Sequence, residues 1–507
     1  MSQEKILSLV DLTRKSAQLR KEGKRIVLCH GTFDLMHTGH IRYLKSAREK
    51  GDVLFVTVTA DAFVNKGPGR PVFPEELRAE NLSSLACVDF VSINNAPTAV
   101  NVISDLKPHA YAKGNDYKNL EDDVTGNIHL EKQAVEEGGG EIIFTDEITF
   151  SSTELLNDHF GVFPDETKQY LQKFSKKYND VKIIEILNSL RQLKVLVIGD
   201  AIIDEYHFTT PLGQSAKGTH LAVQYNYRER FLGGSLAISN HVAGFVEGAT
   251  IVSGLGREKE NEEFIRTNLA GNISPEFYYF ENAPTVVKQR FVDSDLNKLF
   301  EVYLYNEDSK LENSGKDICS WLDKNVAGFD VVIVSDFGNG FITPEMIEPI
   351  CKRSRYLAVN TQINSGNRGY HAITRYPRAD FVSLNEPEAR LATHNRHDPI
   401  ESVARSLADR LKAKHFAVTM GTKGIMLLDN VEDQTYVVPA LSTKVLDRVG
   451  AGDAFLSFSA ICLGKGIFPE AAAFVGSAAA ALDVQIVCNK EPIRSGNLLK
   501  YLGTLLK

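Results

Sequence analysis

Residues 25–59 have the sequence RIVLCHGTFDLMHTGHIRYLKSAREKGDVLFVTVT. The apolar runs RIVLC and VLFVTV near its two ends are rich in β-branched residues, which predicts two buried strands. Between them, HIRYLKSAREKG has helical spacing. A strand, a helix and a second strand in this order form a βαβ unit, the building block of a parallel sheet with helices on its faces.

The same alternation continues to residue 160 and predicts an α/β domain over residues 1–160. Further strands are predicted at DFVSIN, HAYAKG and EIIFTD, and further helices at FPEELRAENLSSLA and NIHLEKQAVEEGG. Residues 161–192 carry many charges and little strand character, so we expect a helical connector there. LKVLVIGD then opens a second α/β domain over residues 193–507, with later strands such as DVVIVSDF, ADFVSLN and HFAVTMG.

The composition is that of a globular protein, with 507 residues, 43% hydrophobic and 24% charged. A net charge of -8 argues against a general nucleic-acid-binding protein. The six cysteines form no CxxC pair, which favours free thiols in a reducing compartment. The N-terminal segment lacks the apolar core of a signal peptide, and no apolar run approaches the ~18–20 residues of a membrane span. We therefore expect a cytoplasmic protein with no membrane partner.

His37 and His40 stand three residues apart where the first strand gives way to a helix. Gly31 lets the backbone approach a ligand, and the helix N-terminus offers free N–H groups and the positive end of the helix dipole. Two imidazoles at this spacing can face one phosphate group and stabilise its charge. The structural alternative is one buried histidine and one helix cap. Zinc has less support, because no further Cys, Asp or His follows at ligand spacing.

This stretch resembles the HxGH signature of the cytidylyltransferase-like nucleotidyltransferases. Three further stretches follow in the expected order: NKGPGRPVFPEELRAENLSSLACVDFV (65–91), LKPHAYAKGNDY (106–117) and FTDEITFSSTELL (144–156). Together they resemble the adenylyltransferase half of the bifunctional heptose-phosphate kinase/adenylyltransferases of bacterial surface-sugar synthesis. The resemblance implies a Rossmann-like nucleotidyltransferase domain over the first 160 residues.

The resemblance also implies roles for individual residues. His37 and His40 would hold the triphosphate, while Lys113 would neutralise the α-phosphate as a sugar phosphate attacks it and pyrophosphate leaves. Arg70 and Arg78 are candidate charge partners, with surface arginines as the alternative. The remaining nucleotide-binding candidates are Gly31, Thr32, Phe33, Asp34, Asp116, Ser151, Ser152 and Thr153.

In the second domain, VLDRVGAGDAF (445–455) carries the clearest chemistry. Gly450, Ala451 and Gly452 at the start of a helix form an anion nest of backbone N–H groups. Asp453 immediately inside can accept a proton from an attacking hydroxyl while the nest stabilises a transferring phosphoryl group. The structural alternative is an ordinary glycine-rich turn with an acidic residue favoured by the helix dipole.

The rest of this domain resembles the ribokinase family of sugar kinases. The matching stretches are VIGDAIIDEY (197–206), LGGSLAISNHVA (232–243), SLNEPEA (383–389) and TMGTKG (419–424). PTVVKQRFVDSDLNKLFEVYLYNED (284–308) resembles the corresponding segment of the heptose-phosphate kinases in particular. The resemblance implies a ribokinase-like α/β domain with a small β lid.

By the same resemblance, Asp453 is the catalytic residue of the kinase and ATP with Mg²⁺ is the phosphoryl donor. Asn385 and Glu388 would organise the Mg²⁺ through water. The sugar-binding candidates are Asp200, Asp204, Gly233 and Gly234. The nucleotide-binding candidates are Thr419, Gly421, Gly424, Gly450, Ala451 and Gly452.

Four positions depart from the family pattern. Ala237 stands where an Asn contacts sugar hydroxyls, Glu205 reverses the charge of an Arg, Asn360 replaces an acid, and the bulky Arg448 follows Asp447. The residues for phosphoryl transfer are retained, while those of the sugar pocket differ. The kinase substrate is therefore left open between a sugar and a sugar phosphate.

These features predict a bifunctional enzyme of nucleotide-activated sugar synthesis. Its kinase would phosphorylate a heptose-like sugar or sugar phosphate, and its nucleotidyltransferase would join a nucleotide, with ATP favoured and CTP the alternative, to a sugar 1-phosphate. The partners implied are sugar and nucleotide substrates and a second copy of the chain bound through the kinase domain. The alternative is a cytidylyltransferase for a polyol or sugar phosphate, fused to a kinase-like domain that is inactive or senses a ligand.

Overall fold

The computed structural model describes residues 3–64, 70–114, 127–145, 163–367 and 369–506. The chain divides into two compact units. Unit 1 comprises Met1–Pro164 and Leu499–Lys507, and unit 2 comprises Asp165–Leu498. Each unit is built on its own parallel sheet.

The strands of unit 1 are β1 (Ile26–Gly31), β2 (Val53–Thr59), β3 (Phe90–Asn94), β4 (Ala110–Gly114) and β5 (Glu141–Thr145). Within the described residues they form one parallel sheet of five strands in the order β3-β2-β1-β4-β5. The predicted parallel sheet is thus confirmed. The chain winds outward in opposite directions from β1 and β4, which creates a crevice beyond the carboxyl ends of these two strands.

Helices cover both faces of this sheet, and for that reason every residue of β2 is buried. On one face, Leu28 packs in a cluster with Leu12, Val102 and Val135. On the other face, Val27 packs in a cluster that includes Leu44 and Ala79. The described helices are α1 (Leu9–Lys21), α2 (Thr38–Arg48), α3 (Glu75–Ser83), α4 (Val100–Leu106) and α5 (Asn127–Glu137).

Unit 2 contains a main sheet and a smaller lid sheet. In the described part of the chain the main sheet has nine strands, of which the last two are antiparallel to their neighbours. Its strands are β6 (Lys194–Gly199), β9 (Gly248–Leu255), β10 (Ile273–Tyr279), β13 (Val331–Asp336), β14 (Leu357–Thr361), β15 (Phe381–Asn385), β16 (His415–Thr419), β17 (Ile425–Asp429) and β18 (Gln434–Val438). Their order is β10-β9-β6-β13-β14-β15-β16-β17-β18.

The lid sheet consists of β7 (Ala201–Gln214), β8 (Leu221–Gly234), β11 (Val286–Val292) and β12 (Lys298–Leu304), in the order β12-β11-β7-β8. A single residue, Asp200, separates β6 of the main sheet from β7 of the lid. At the other end of the hairpin, Gly234 closes β8 and caps the next helix. The lid is therefore attached to the main sheet at the point where the family motifs lie.

The helices of unit 2 pack on both faces of the main sheet. They are α6 (Asp165–Lys177), α7 (Asp180–Ser189), α8 (Ser235–Ala243), α9 (Lys259–Asn268), α10 (Lys316–Asn325), α11 (Pro344–Arg353), α12 (Glu386–Thr393), α13 (Ile400–Leu411), α14 (Ala451–Gly464), α15 (Pro469–Asp483) and α16 (Ser495–Leu505), the last of which continues into unit 1. The connector segment contributes α6 and α7 to unit 2, where the Phe174 ring lies 4.0 Å from the Phe474 ring. None of the helices in the described ranges has the length and apolar character needed to span a bilayer.

Two candidate active sites

In unit 1 the loop after β1 carries the histidine motif. β1 ends at Gly31, where a Cβ atom would come within 3.2 Å of the Phe33 ring. Phe33 has a positive φ of 47° and its ring lies edge-on to His40, with ring centroids 5.6 Å apart. The tight turn through Thr32 and Phe33 thus brings the N-terminus of α2 back to the end of β1.

His37 and His40 lie together at the N-terminus of α2. Their ring centroids are 4.0 Å apart, and both residues are half-buried. His37 is the N-cap of the helix, and its Nδ1 accepts a hydrogen bond from the Gly39 N–H at 3.1 Å. Because Nδ1 is the acceptor, the hydrogen-bond pattern assigns the proton of the neutral ring to Nε2. The helix cap and the phosphate-facing arrangement are therefore compatible.

The Asp34 carboxylate is held by hydrogen bonds and an ion pair within unit 1. Its Oδ1 accepts hydrogen bonds from the Val72 and Phe73 N–H groups at 2.7 and 3.0 Å, and its Oδ2 lies 3.5 Å from Arg70 Nη1. Both charged side chains are almost fully buried. Burial lowers the pKa of Arg70, an effect that the neighbouring Asp34 opposes. Asp34 therefore ties the histidine loop to the segment after residue 70.

The Arg78 side chain joins several backbone segments of unit 1. It is fully buried and donates to the Phe73, Thr32 and Thr59 carbonyl groups at 2.9, 2.6 and 2.8 Å. It also forms an ion pair with Asp61. A guanidinium with its donors used in this way holds the ends of β1 and β2 together.

Lys113 lies on β4, one residue before the strand ends. Its Nζ is 2.8 Å from Glu131 Oε2 of α5, and both side chains are largely buried. Glu131 belongs to none of the sequence motifs. The candidates Asp116, Ser151, Ser152 and Thr153 lie outside the described residues.

In unit 2, Asp200 lies between the main sheet and the lid and is buried. Its carboxylate accepts from the Phe337 N–H at 2.8 Å and the Phe341 N–H at 3.4 Å. Burial and the nearby Asp336 raise its pKa to about 6, against the opposing effect of those N–H groups and of His371.

Asp204 of β7 forms a buried ion pair with Arg290 of β11. A Cβ atom at Gly233 would approach Asp204 Oδ2 to 2.1 Å, so glycine is required there for the carboxylate to fit. Burial lowers and the facing Asp204 raises the pKa of Arg290, and the net direction is upward. Asp204 and Arg290 are therefore fixed as a pair on the inner side of the lid.

The glycine-rich turn precedes α14 as predicted. Gly450 has a φ of 101°, and a Cβ atom there would collide with Asn489 Oδ1 at 2.3 Å. Gly452 opens to free space, which leaves room for a ligand over the helix N-terminus. Asp453 lies in the first turn. Burial, followed by the negative charges of Asp204 and Glu388, raises the pKa of Asp453 to about 7.

Lys288 is the cation that faces this group of acids. It lies on β11, is buried, and has its Nζ 5.2 Å from the Phe337 ring centroid. Burial lowers its pKa, while the charges of Asp204, Asp200 and Asp453 act to raise it. One lysine thus lies within electrostatic reach of three candidate carboxylates.

Asn385 and Glu388 form a capping box at the start of α12. Glu388 accepts from the Asn385 N–H at 2.8 Å and the Ile363 N–H at 3.1 Å, and burial raises its pKa to about 7. In the described part of the chain, no group of three or more His, Cys, Asp or Glu residues is placed to bind a metal directly. A buried carboxylate with one bond to each oxygen fits a Mg²⁺ held through water, because oxygen ligands suit this ion and it retains several waters.

The nucleotide-side candidates lie at the same edge of the sheet. Thr419, at the end of β16, pairs in register with Asn385. Gly421 and Gly424 both have positive φ in the turn that follows, and a Cβ atom at Gly424 would meet the Val438 carbonyl oxygen at 2.1 Å. The geometry thus places Asp200, Asn385 and Thr419 at carboxyl ends of strands.

The comparisons with known proteins agree with this arrangement. A model of the pfkB family of carbohydrate kinases matches residues 192–488, more than half of the chain. The chain belongs to the pfkB family. A model of the cytidylyltransferase-like family matches residues 28–158.

Curated relatives include the bifunctional protein HldE of Desulfatibacillum aliphaticivorans, 38% identical over 159 residues, which are 31% of this chain and 31% of the relative. HldE of Nitratiruptor sp. is 43% identical over 134 residues, 25% of this chain and 29% of the relative. Each match therefore spans less than a third of the relative's length. Phosphofructokinase-2 from Escherichia coli, solved in complex with fructose-6-phosphate, superposes with a TM-score of 0.50 at 14% identity, over 62% of this chain and 100% of that one. At this identity the superposition shows the fold alone, and it confirms the expected ribokinase-like domain.

Three of the four positions that depart from the family pattern have a structural explanation. Glu205 lies on the opposite face of β7 from Asp204, where Arg230 Nε is 3.2 Å and Gln289 Nε2 is 3.0 Å from its carboxylate. The Arg448 side chain is exposed. Asn360 Nδ2 donates to the Ser383 carbonyl group at 2.8 Å, which joins two strands of the main sheet. Ala237 is buried in α8, and nothing in the structure explains its choice over Asn.

We predict that Arg78→Met destabilises unit 1 by about 3 kcal/mol, because two buried carbonyl groups and a partly buried one lose their donor. Hydrogen exchange of peptides from residues 26–64 in increasing urea measures the opening of this unit separately. Arg14→Met, at an exposed arginine paired with Asp11, is the control and should be neutral. Equal protection in the two variants would contradict the stabilising role of Arg78.

Proposed function

We propose that the chain is a bifunctional enzyme of nucleotide-activated sugar synthesis. Residues 193–507 phosphorylate a sugar or sugar phosphate, and residues 1–160 transfer a nucleotidyl group to a sugar 1-phosphate with release of pyrophosphate. Residues 161–192 act as the connector. The observation that carries the kinase is Asp453 beside an open glycine nest, within electrostatic reach of Lys288. The proposal is further supported by the pfkB and cytidylyltransferase-like matches.

In the kinase, Asp453 accepts the proton of the attacking hydroxyl, because its raised pKa brings its basicity close to neutral pH. The N–H groups of the nest and Lys288 offset the charge of the transferring phosphoryl group. Asp200 and Asp204 orient the acceptor. Mg²⁺, organised by Asn385 and Glu388 through water, supplies further charge neutralisation when bound.

In the nucleotidyltransferase, the His37 Nε2–H and the His40 ring face the triphosphate at the N-terminus of α2. Nucleotidyl transfer requires in-line positioning and charge neutralisation and no covalent nucleophile. Lys113 supplies the positive charge at the α-phosphate. ATP is the donor that the resemblance to HldE favours, and CTP is the alternative. The six cysteines are unpaired, which supports a reducing, cytoplasmic location.

We expect Asp453→Asn to lower kinase kcat/KM about 1000-fold with ATP and a panel of sugars and sugar phosphates. Asp433→Asn, at an exposed aspartate, is the matched control. In the wild type, kcat/KM should rise with pH around a midpoint near 7, as Asp453 loses its proton. Absence of Asp453-dependent turnover on any acceptor, with thermal stabilisation by the same ligands, would indicate a sensor instead.

The same variant should be more stable than the wild type at pH 8. The folded-state pKa of Asp453 is raised, so the stability linked to this group is present below the unfolded pKa and is lost as pH rises through the folded pKa of about 7. Asparagine removes that charge. A melting temperature above that of the wild type at pH 8, with the difference vanishing near pH 4, is the expected result.

For the nucleotidyltransferase, we expect His40→Ala to lower pyrophosphate release about 100-fold or more. The assay compares ATP with CTP and sugar 1-phosphates with polyol phosphates, which also identifies the base and the acceptor. His129→Ala, at an exposed histidine of the same unit, is the control. Unchanged release in His40→Ala would remove the histidine from the proposed role.

The kinase domain, we propose, forms a homodimer through its lid. Within the residues that the structure describes, β7 pairs beyond residue 208 only with β8, and a two-stranded hairpin is marginally stable alone. This hairpin exposes Leu212, Leu221, Tyr225 and Tyr227, each more than 40% accessible. A second copy of the chain would cover them.

We predict that the wild type is a dimer by light scattering at micromolar concentration and that Leu212→Ser with Tyr227→Ser is a monomer, since the apolar contact drives association. Val431→Ser, at an exposed apolar residue outside the lid, should leave the mass unchanged. A monomeric wild type would exclude the dimer.

A further inference from the structure

An ion pair between Lys113 and Glu131 lies at the carboxyl end of the unit 1 sheet. Lys113 is the next-to-last residue of β4, and Glu131 is in the middle of α5. Nζ and Oε2 are 2.8 Å apart, and the two side chains are only 13% and 5% exposed. Taking both charges out of water is expensive, and such a pair is a weak contributor to stability. Its position beside the crevice therefore calls for another explanation.

The groups around Lys113 show that Glu131 is its counter-charge. Among the described residues, the titratable groups that act on it are Cys29 and His30 of β1, Tyr111 of β4 and Glu131 of α5. Burial raises the pKa of both Cys29 and Tyr111, so the thiol and the phenol remain neutral at physiological pH. Burial, and then the charge of Lys113, lowers the pKa of His30 to about 3.

The ring of Tyr111 lies below the ammonium group, with Nζ 5.1 Å from its centroid. Tyr111 and Lys113 are two residues apart on one strand, so their side chains leave the sheet on the same face. That face also carries His30, whose ring nitrogens lie 2.9 and 3.3 Å from the Thr57 and Thr59 hydroxyls. The Lys113 ammonium group thus lies over the Tyr111 ring and pairs with the Glu131 carboxylate.

We propose that Glu131 is a positioning residue for nucleotidyl transfer, which keeps the Lys113 side chain charged and directed at the sheet edge where the α-phosphate is expected. This inference rests on the proposed nucleotidyltransferase function. Burial alone would favour the neutral amine, and a neutral amine offers no charge to a phosphate. Glu131 keeps the lysine protonated before the substrate arrives. Glu131 itself does not contact the reacting atoms.

Glu131→Gln removes the counter-charge and keeps the shape of the side chain. Without it, burial moves the pKa of Lys113 below the ordinary lysine value of about 10.4. We expect an alkaline limb in kcat/KM for pyrophosphate release with a midpoint at about pH 8.5, so that the value at pH 9.5 is about tenfold below that at pH 7.5. The wild type should show no such limb up to about pH 10, because the Glu131 carboxylate 2.8 Å from Nζ stabilises the charged amine. A purely structural role would lower the melting temperature and leave the pH profile unchanged.

Two variants serve as controls. Glu136→Gln makes the same chemical change on the same helix, at an exposed residue 3.9 Å from Lys132, and should match the wild type. Glu131→Asp retains the charge with a shorter reach and should restore most of the alkaline activity. A limb in Glu131→Asp equal to that in Glu131→Gln would mean that a carboxylate at this position does not restore the charge of Lys113, which would count against the positioning role.

Acylation by acetic anhydride provides a second readout that does not depend on activity. Mass spectrometry follows the modification of Lys113 between pH 7 and 10, and only the neutral amine reacts. In the wild type Lys113 should remain protected across this range, and in Glu131→Gln its labelling at pH 9 should be more than about tenfold that of the wild type.

The outcomes separate the two proposals. Wild-type protein with no pyrophosphate release from any nucleotide, but with the predicted labelling difference, would overturn the proposed function and leave the ion pair established. Activity that needs Lys113 but shows the same alkaline profile in the wild type and Glu131→Gln would overturn the positioning role alone. Ordinary titration of Lys113 in the wild-type labelling experiment would overturn it without any variant.

Discussion

Buried negative charge at the carboxyl edge of the unit 2 sheet constrains the rest of that unit. Asp200, Asp204 and Asp453 act electrostatically on Lys288, and the pKa values of Asp200 and Asp453 are both raised. Several carboxylates in one poorly hydrated region repel each other and any incoming phosphate. They can be maintained only if cations are built in beside them. In this chain, the cations come from the lid.

This requirement explains the architecture of the lid. Lys288 and Arg290 are two residues apart on β11, so both point to the inner face, with Asp204 of the neighbouring strand opposite. Moving the lid away would separate Asp200 and Asp453 from Lys288, whereas Asp204 would move together with the lid. The site therefore needs residues of both the main sheet and the lid, which Asp200 connects along the chain. The aspartate at this junction is itself fixed by two backbone N–H groups from the end of β13.

Unit 1 differs from unit 2 in the source of the negative charge, which its ligand is expected to bring. Its buried arginines have partners within the unit, with Arg70 Nη1 3.5 Å from Asp34 and Arg78 donating to backbone carbonyl groups. What remains at the crevice is a pair of imidazole rings at a helix N-terminus and a lysine held by one carboxylate. N–H donors at a helix N-terminus and one strong positive charge are suited to a polyanion, which is the ligand expected there.

The sequence predicted what depends on neighbouring residues along the chain. Strands and helices followed from periodicity, because β1 and β2 are buried on both faces and α2 begins at a side-chain cap. Pairs distant in sequence could not be predicted this way. Glu131 is three residues from both Ile128 and Ala134, so helical spacing places it on the buried face of α5, but only the packing of α5 brings it to Lys113. The same holds for Arg290 and Asp204, which are 86 residues apart.

At Glu205, a comparison of sequences alone assigns a charge reversal to the wrong face of the lid. In the sequence it is adjacent to Asp204, and its charge reversal points to an altered sugar pocket. In the sheet, adjacent residues of a strand face opposite sides, and Glu205 faces Arg228, Arg230 and Gln289 on the outer side of the lid. The reversal is thus compensated within the lid and does not touch the inner face. A change in acceptor preference is then expected from inward residues such as Lys288, because Arg290 is already paired with Asp204 and Glu301.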